Sequence, residues 1–127
     1  MSDPVAPCSR PTADAPPLRT SITLPQPGTV LLDVHGEVDT LTAPPLEQAL
    51  SDLLAEQEAD RLVVDLSGVT FLASSGLAVL IRAAHRAADR RLRLRLVTAS
   101  RAVRRPLQIT GSEQLFDMYE DVSAAVD

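Results

Sequence analysis

Tryptophan and lysine are both missing from these 127 residues, and the aromatic share is 2%, one Tyr and two Phe. So few rings leave almost no means of stacking the bases of a single-stranded nucleic acid, and a core has to be built from Leu, Val, Ile and Ala. Cysteine occurs once, as Cys8, so an internal disulfide cannot form and a cysteine-based metal cluster is excluded. That usage fits a reducing compartment, and a cytoplasmic location is expected. No run approaches the roughly 18 apolar residues that span a bilayer, so no membrane association is expected. Pro4, Pro7, Pro11, Pro16 and Pro17 interrupt the first twenty residues, which match neither a signal peptide nor a lipoprotein leader.

What is present is 45% hydrophobic residues, enough for one domain with a real core. Residues 1–17, rich in Pro, Ala, Ser and Asp without periodicity, read as a disordered tail ahead of a domain at 18–127. The formal net charge is −5, yet nine of the 12 basic residues, all arginine, fall between Arg82 and Arg105. Charge is therefore segregated along the chain.

The pattern predicts alternating strands and helices. Residues 18–24 and 29–35 read as an antiparallel hairpin around the Pro25–Gly28 turn, followed by a polar loop over Gly36–Thr42. Thr42 before Ala43-Pro44-Pro45 marks a helix start, and Leu46, Ala49, Leu50, Leu53 and Leu54 recur on one face of that helix. Arg61–Leu66 is a short buried strand, expected to break at Ser67-Gly68. After the adjacent serines Ser74 and Ser75, Leu77, Leu80, Ile81, Ala84, Ala87 and Ala88 line a second helix. Strict alternation over 91–97 predicts a half-exposed strand with leucines on one side and arginines on the other. A third helix capped by Thr98 or Ser100 should reach Thr110, bent at Pro106 and stopped by Gly111. A short strand over 115–119 and a helical turn over 121–126 complete the chain. Two strands flanking a helix form a βαβ unit, so the fold class is α/β with a mixed sheet.

The serine pair at the strand-to-helix turn carries the first functional reading. Either hydroxyl can simply cap the helix, a role worth about 0.5–2 kcal/mol against alanine. Alternatively, a phosphate placed there adds about −1.5 to −2 charge. A helix start tolerates such an anion, so the domain would stay folded while an acidic or apolar partner surface was repelled.

The element order, together with Gly36-Glu37-Val38-Asp39, Ala43-Pro44-Pro45-Leu46, Val64-Asp65-Leu66-Ser67-Gly68-Val69 and Ser74-Ser75-Gly76-Leu77, resembles the STAS domain of anti-sigma factor antagonists. The likeness spans roughly residues 18–126. It implies a small mixed sheet of four to five strands with about four helices, no catalysis of its own and no cofactor. It also implies regulation of sigma-factor-dependent transcription by partner switching. The partner implied is an ATP-dependent serine kinase that is also the anti-sigma factor, bound when the antagonist is unmodified and released when it is phosphorylated; a phosphatase would reset it. Carried over by position, the phosphorylated residue is Ser74, with Ser75 the second choice. Where the family commonly has Asp before that serine, this chain has Ala73. The implied docking surface comprises Asp39, Thr40, Ala73, Ser74, Ser75, Gly76 and Leu77, on a monomer or weak homodimer. The same fold could instead serve as a scaffold or sensor subunit that is never phosphorylated.

Other constellations are weaker. Glu37 and Asp39 could form a carboxylate pair, but no third ligand or histidine cluster accompanies them, so no metal or acid–base chemistry is expected. Gly36 and Asp39 could equally shape a turn. His35 and His85 lie in different expected elements without a ligand set. Arg91, Arg93 and Arg95 could bind nucleotide or nucleic acid, against the simpler reading of a solvated, ion-paired strand face. Direct DNA binding is not expected. Val64–Gly68 lacks the glycine spacing and the lysine of a phosphate-binding loop.

Overall fold

In the computed structural model, which describes residues 18–56 and 58–127, a five-stranded sheet carries helices on both faces. The elements are β1 (Arg19–Gln26), β2 (Thr29–Val38), α1 (Ala43–Leu54), β3 (Arg61–Leu72), α2 (Ser74–Asp89), β4 (Leu94–Val97), α3 (Arg101–Thr110), β5 (Asp117–Tyr119) and α4 (Val122–Val126). A 3-10 turn over Ser112–Leu115 precedes β5. The strands lie in chain order across the sheet: β1 and β2 are antiparallel, and β2–β3, β3–β4 and β4–β5 are parallel. Each parallel step needs a crossover, and α1, α2 and α3 provide them. The expected α/β fold is thus present, while the expected tail at 1–17 lies outside the described residues.

Gln26 pairs Thr29, so Pro27-Gly28 is a two-residue turn, with Gly28 at φ 80 where a type II turn asks for glycine. β1 runs further than expected, through Pro25, because an edge strand tolerates a residue without an N–H. On the main face, Val30, Leu32 and Val34 of β2 meet Leu62, Val64 and Leu66 of β3, and α1 adds Leu46, Leu50 and Leu53. Leu77 and Leu80 of α2 and Val103 and Leu107 of α3 close this core. Each such side chain contributes about 1.5–3 kcal/mol by leaving water. The face of α2 is turned slightly from the expected one: Val79 and Ala83 are buried and Ala88 is exposed, so Gly76, Val79 and Ala83 widen the stripe set by Leu77, Leu80, Ala84 and Ala87. On the opposite face a smaller cluster, Leu31, Val63, Val97 and Ala125, lies under α4. Asp121 starts that helix by accepting from the N–H of Ala124, at 2.8 Å.

Two expectations about strands are corrected. β3 does not break at Ser67-Gly68 but continues to Leu72, because β2 also continues to Val38 and supplies a parallel ladder, Glu37 opposite Phe71 and Val38 opposite Leu72. The extra length is absorbed by two register shifts, one of them beside Gly36 at φ 122. Gly68 is needed there, since a Cβ would lie 2.1 Å from Nδ1 of His35. In the second correction, β4 begins at Leu94, not Arg91. Arg91, at φ 62, ends α2: its N–H donates to the Ala88 carbonyl at 2.8 Å and that of Leu92 to Ala87 at 2.9 Å. This is a Schellman closure with arginine where glycine is usual.

The arginines between 82 and 104 are largely fasteners. Along α2, Arg82 pairs with Glu47 at 3.2 Å and Arg86 donates to Ser51 Oγ at 2.9 Å. Arg90 donates to the carbonyls of Leu54, Glu56 and Ala59 at 2.9–3.2 Å. Spaced four apart, the three face α1 in succession, and Arg90 places positive charge where the carbonyls of α1 end.

Candidate functional site

The site grows from the ends of β2 and β3. The expected loop over Gly36–Thr42 begins later than anticipated, since Gly36, Glu37 and Val38 complete β2. Asp39 then folds the chain back on itself: its Oδ1 accepts the N–H groups of Leu41 at 2.9 Å and Thr42 at 3.0 Å. The N–H of Asp39 donates to Thr42 Oγ1 at 2.8 Å, and that hydroxyl is 2.8 Å from the Glu37 carbonyl as acceptor. Asp39 and Thr42 therefore build the turn, and the Asp39 carboxylate is spent on backbone. Thr42 occupies the N-cap position of α1 without a side-chain capping bond. Thr40 and Leu41 are left pointing outward, Leu41 at 85% exposure.

Next to this turn, β3 passes directly into α2. Ala73 is the N-cap residue, extended at φ −83, ψ 169, and its N–H donates to the Val38 carbonyl at 2.8 Å. That bond joins the serine turn to the end of β2. Gly76 seals the junction: a Cβ there would lie 2.2 Å from Val38 Cγ1 and 2.9 Å from Leu72 Cδ1. Neither serine caps the helix, contrary to the capping reading, because the N-cap position belongs to Ala73. Ser74, in the first turn of α2, is exposed, while Ser75 turns inward and its Oγ is buried without a hydrogen-bond partner among the described residues. An incoming group can reach only Ser74 without rearrangement.

Ser74 also lines an open groove of about 420 Å³. One wall is Phe71, Leu72 and Leu77, and the other is the α3 surface with Arg101, Ala102, Arg105, Pro106, Ile109 and Thr110. Phe71 is 50% and Ile109 70% exposed, so the walls are apolar and wet. The sequence reading missed Leu41, Phe71 and Ile109. Each had a signal, a large apolar residue beside a turn and off the helix or strand period, but only burial distinguishes such a residue from core.

Of the residues expected at the docking surface, Asp39 and Thr40 lie on the first turn and Ala73, Ser74, Ser75, Gly76 and Leu77 on the second. The Ala73–Val38 bond and the Gly76–Val38 contact bring the two turns together, although Ser75, Gly76 and Leu77 are not freely exposed. The arginine strand follows the simpler reading, a partly solvated face tied to groups of the domain itself. Arg93 bonds Asp117 Oδ1 at 2.9 Å and the carbonyls of Gln114 and Phe116, and Arg95 donates to Ala125 O at 2.8 Å with Tyr119 stacked beneath it. Among the described residues, no group of three or more His, Cys, Asp or Glu is arranged to hold a metal, and no helix is long and apolar enough to cross a membrane.

On the second face of the sheet, Asp33 and Asp65 are paired on neighbouring strands, with His35 two residues from Asp33. Burial first, then a hydrogen bond and repulsion from Asp65, hold the Asp33 carboxyl above its ordinary value, and the His35 charge partly offsets them.

A family model described as "STAS domain" matches residues 22–125. The chain belongs to the STAS domain family of anti-sigma factor antagonists. Anti-sigma-F factor antagonist RsfB of Mycobacterium tuberculosis is 30% identical over 99 residues, covering 78% of this chain and 80% of that protein. The crystal structure of an anti-sigma factor antagonist from Mycobacterium paratuberculosis is 33% identical with a TM-score of 0.74, over 86% of this chain and 91% of that one. SpoIIAA in its unphosphorylated form shares the fold at 15% identity, with a TM-score of 0.65 over 85% of this chain and 94% of that one. In this STAS domain, the turn at Ser74 and the turn at Asp39 are joined through the Ala73–Val38 hydrogen bond.

Proposed function

We propose that this STAS domain is an anti-sigma factor antagonist that binds an anti-sigma factor serine kinase when unmodified and releases it when Ser74 is phosphorylated. The observation that carries this reading is the placement of Ser74: an exposed hydroxyl in the first turn of α2, on the wall of an apolar groove, while Ser75 is turned inward. The chain contributes no catalytic group. In the transfer step, Ser74 Oγ attacks the γ-phosphorus of ATP, the bond to the bridging oxygen breaks, ADP leaves, and the hydroxyl proton passes to a base of the kinase. The modification adds about −1.5 to −2 charge beside Phe71, Leu72 and Leu77. An apolar or acidic partner surface that fitted the groove is then repelled, and the anti-sigma factor is free to hold its sigma factor in the cytoplasm. A phosphatase restores the antagonist.

Ala73 in place of an acid leaves the acceptor intact, since it joins the turn through its backbone N–H and not through a side chain. The test is phosphorylation of the purified chain by candidate partner kinases with ATP, followed by mapping of the phosphate by mass spectrometry. Phosphate at Ser74 is expected; phosphate confined to Ser75 or to residues 1–17 overturns the assignment. Ser74→Asp should stay folded and bind the partner kinase at least about tenfold more weakly than the unmodified chain does, a cost of about 1.4 kcal/mol.

A further inference from the structure

The arginines of α3 differ in what they hold. Arg104 faces Glu120 at 3.8 Å and Thr98 Oγ1 at 3.3 Å. Arg101 and Arg105 are exposed and line the same groove as Ser74, and no hydrogen bond or ion pair to either side chain occurs among the described residues. This contrasts with Arg82, Arg86, Arg90, Arg93 and Arg95, all of which have acceptors within the domain. Two arginines whose side chains have no acceptor among the described residues thus line the same apolar cleft as one exposed hydroxyl. Ala73 contributes no carboxylate that would compete for them.

We propose that Arg101 and Arg105 are the intramolecular receptors for a phosphate on Ser74, drawing it across the groove so that modification covers the apolar walls. The inference rests on the reading of Ser74 as the phosphorylated residue. Guanidinium groups are suited to this task because their planar N–H forks match phosphate oxygens, and a pair of them balances a dianion. The switch then has two parts: charge is added at Ser74, and the cleft between α2 and α3, where Phe71 and Ile109 offer apolar surface, is closed by the chain's own side chains.

The experiment installs phosphoserine at position 74 during synthesis, so that it needs no kinase, and follows the phosphate by phosphorus NMR against pH. A free phosphoserine loses its second proton near about pH 6. With Arg101 and Arg105 engaged, the midpoint should fall by at least about half a unit, and the drop should shrink at high salt. In the Arg101→Gln/Arg105→Gln double variant, checked for an unchanged circular dichroism spectrum, the midpoint should return to the ordinary value. The single variants provide intermediate shifts if the double variant does not fold. An unshifted midpoint in the parent chain overturns the proposal. So does a lowered midpoint that survives the double substitution, since the backbone at the start of α2 would then account for it. Neither result bears on whether a kinase modifies Ser74, which the phosphate mapping decides separately.

Discussion

Gly76 and Asp33 show how single residues constrain this domain in opposite directions. Gly76→Ala adds one methyl group to a helix, which by intrinsic preference gains about 1 kcal/mol. The new Cβ would, however, lie 2.2 Å from Val38 Cγ1, in the contact that holds the serine turn against β2. Overpacking of that kind costs about 1–3 kcal/mol, so a net loss is expected, and urea unfolding measures it. Asp33 behaves otherwise. Its carboxyl is held above 3.8, chiefly by burial, so the folded state binds that proton more tightly than the unfolded chain does. Its contribution is therefore fully present below the unfolded value and is lost as pH rises through the folded one. Asp33→Asn, which carries no charge to repel Asp65, should remove that loss: in urea unfolding repeated from about pH 3 to about pH 7, the variant's stability relative to the parent should increase as pH rises. An unchanged difference across the series would rule out the pair as its source.

Helix ends give the clearest tests among the elements. Arg91 closes α2 at φ 62, a conformation that costs a side-chain-bearing residue about 1 kcal/mol. Since Arg91 makes the closure with its backbone N–H, Arg91→Gly should keep both Schellman bonds and stabilise the domain by up to about 1 kcal/mol, read as a raised melting temperature. The extension of β3 past Gly68 makes a second claim. Amide hydrogens within Val69–Leu72 that point toward β2 should be protected from exchange well above the level of an unpaired turn, because this stretch continues the ladder with β2. Fast exchange beyond Gly68 would restore the break that Ser67-Gly68 suggests on paper. Arg90 ties the end of α2 to the last carbonyl of α1 and to two carbonyls just beyond it, a link between residues more than thirty apart that helical spacing alone does not reveal.

Across the whole molecule, the exposed apolar residues Leu41, Phe71 and Ile109 flank the serine turn, and a single fold presents them together. Leu41→Ser and Phe71→Ser should each weaken binding of the unmodified chain to the proposed partner by about tenfold, with stability changed by less than about 0.5 kcal/mol. Binding that survives both substitutions would move the docking surface elsewhere. The α/β order, the parallel crossovers and the core stripe of α1 were legible in the sequence, because apolar periods of 2 and 3.6 residues are local signals. So was the serine turn, through its position between a strand and a helix. Three other features were not. The continuation of β3 depends on its neighbour β2, the inward turn of Ser75 on packing, and the division of the arginines into committed and uncommitted ones on acceptors distant in the chain. The alternation of Leu and Arg over 91–97 misled for a related reason: Arg91 and Leu92 close the end of α2, and the strand begins only at Leu94.

The hydrogen bond from Ala73 to Val38 has a consequence for recognition. It makes Ser74 part of a three-dimensional surface assembled from two separated strands, so under the proposed switch a kinase would have to read a folded surface in place of a linear motif. A synthetic peptide covering residues 69–80 contains every neighbour of Ser74 in the chain but neither Asp39 and Leu41 nor the α3 wall. Such a peptide should be phosphorylated far more slowly than the intact domain, and the specificity of the pathway would then be guarded by the fold itself.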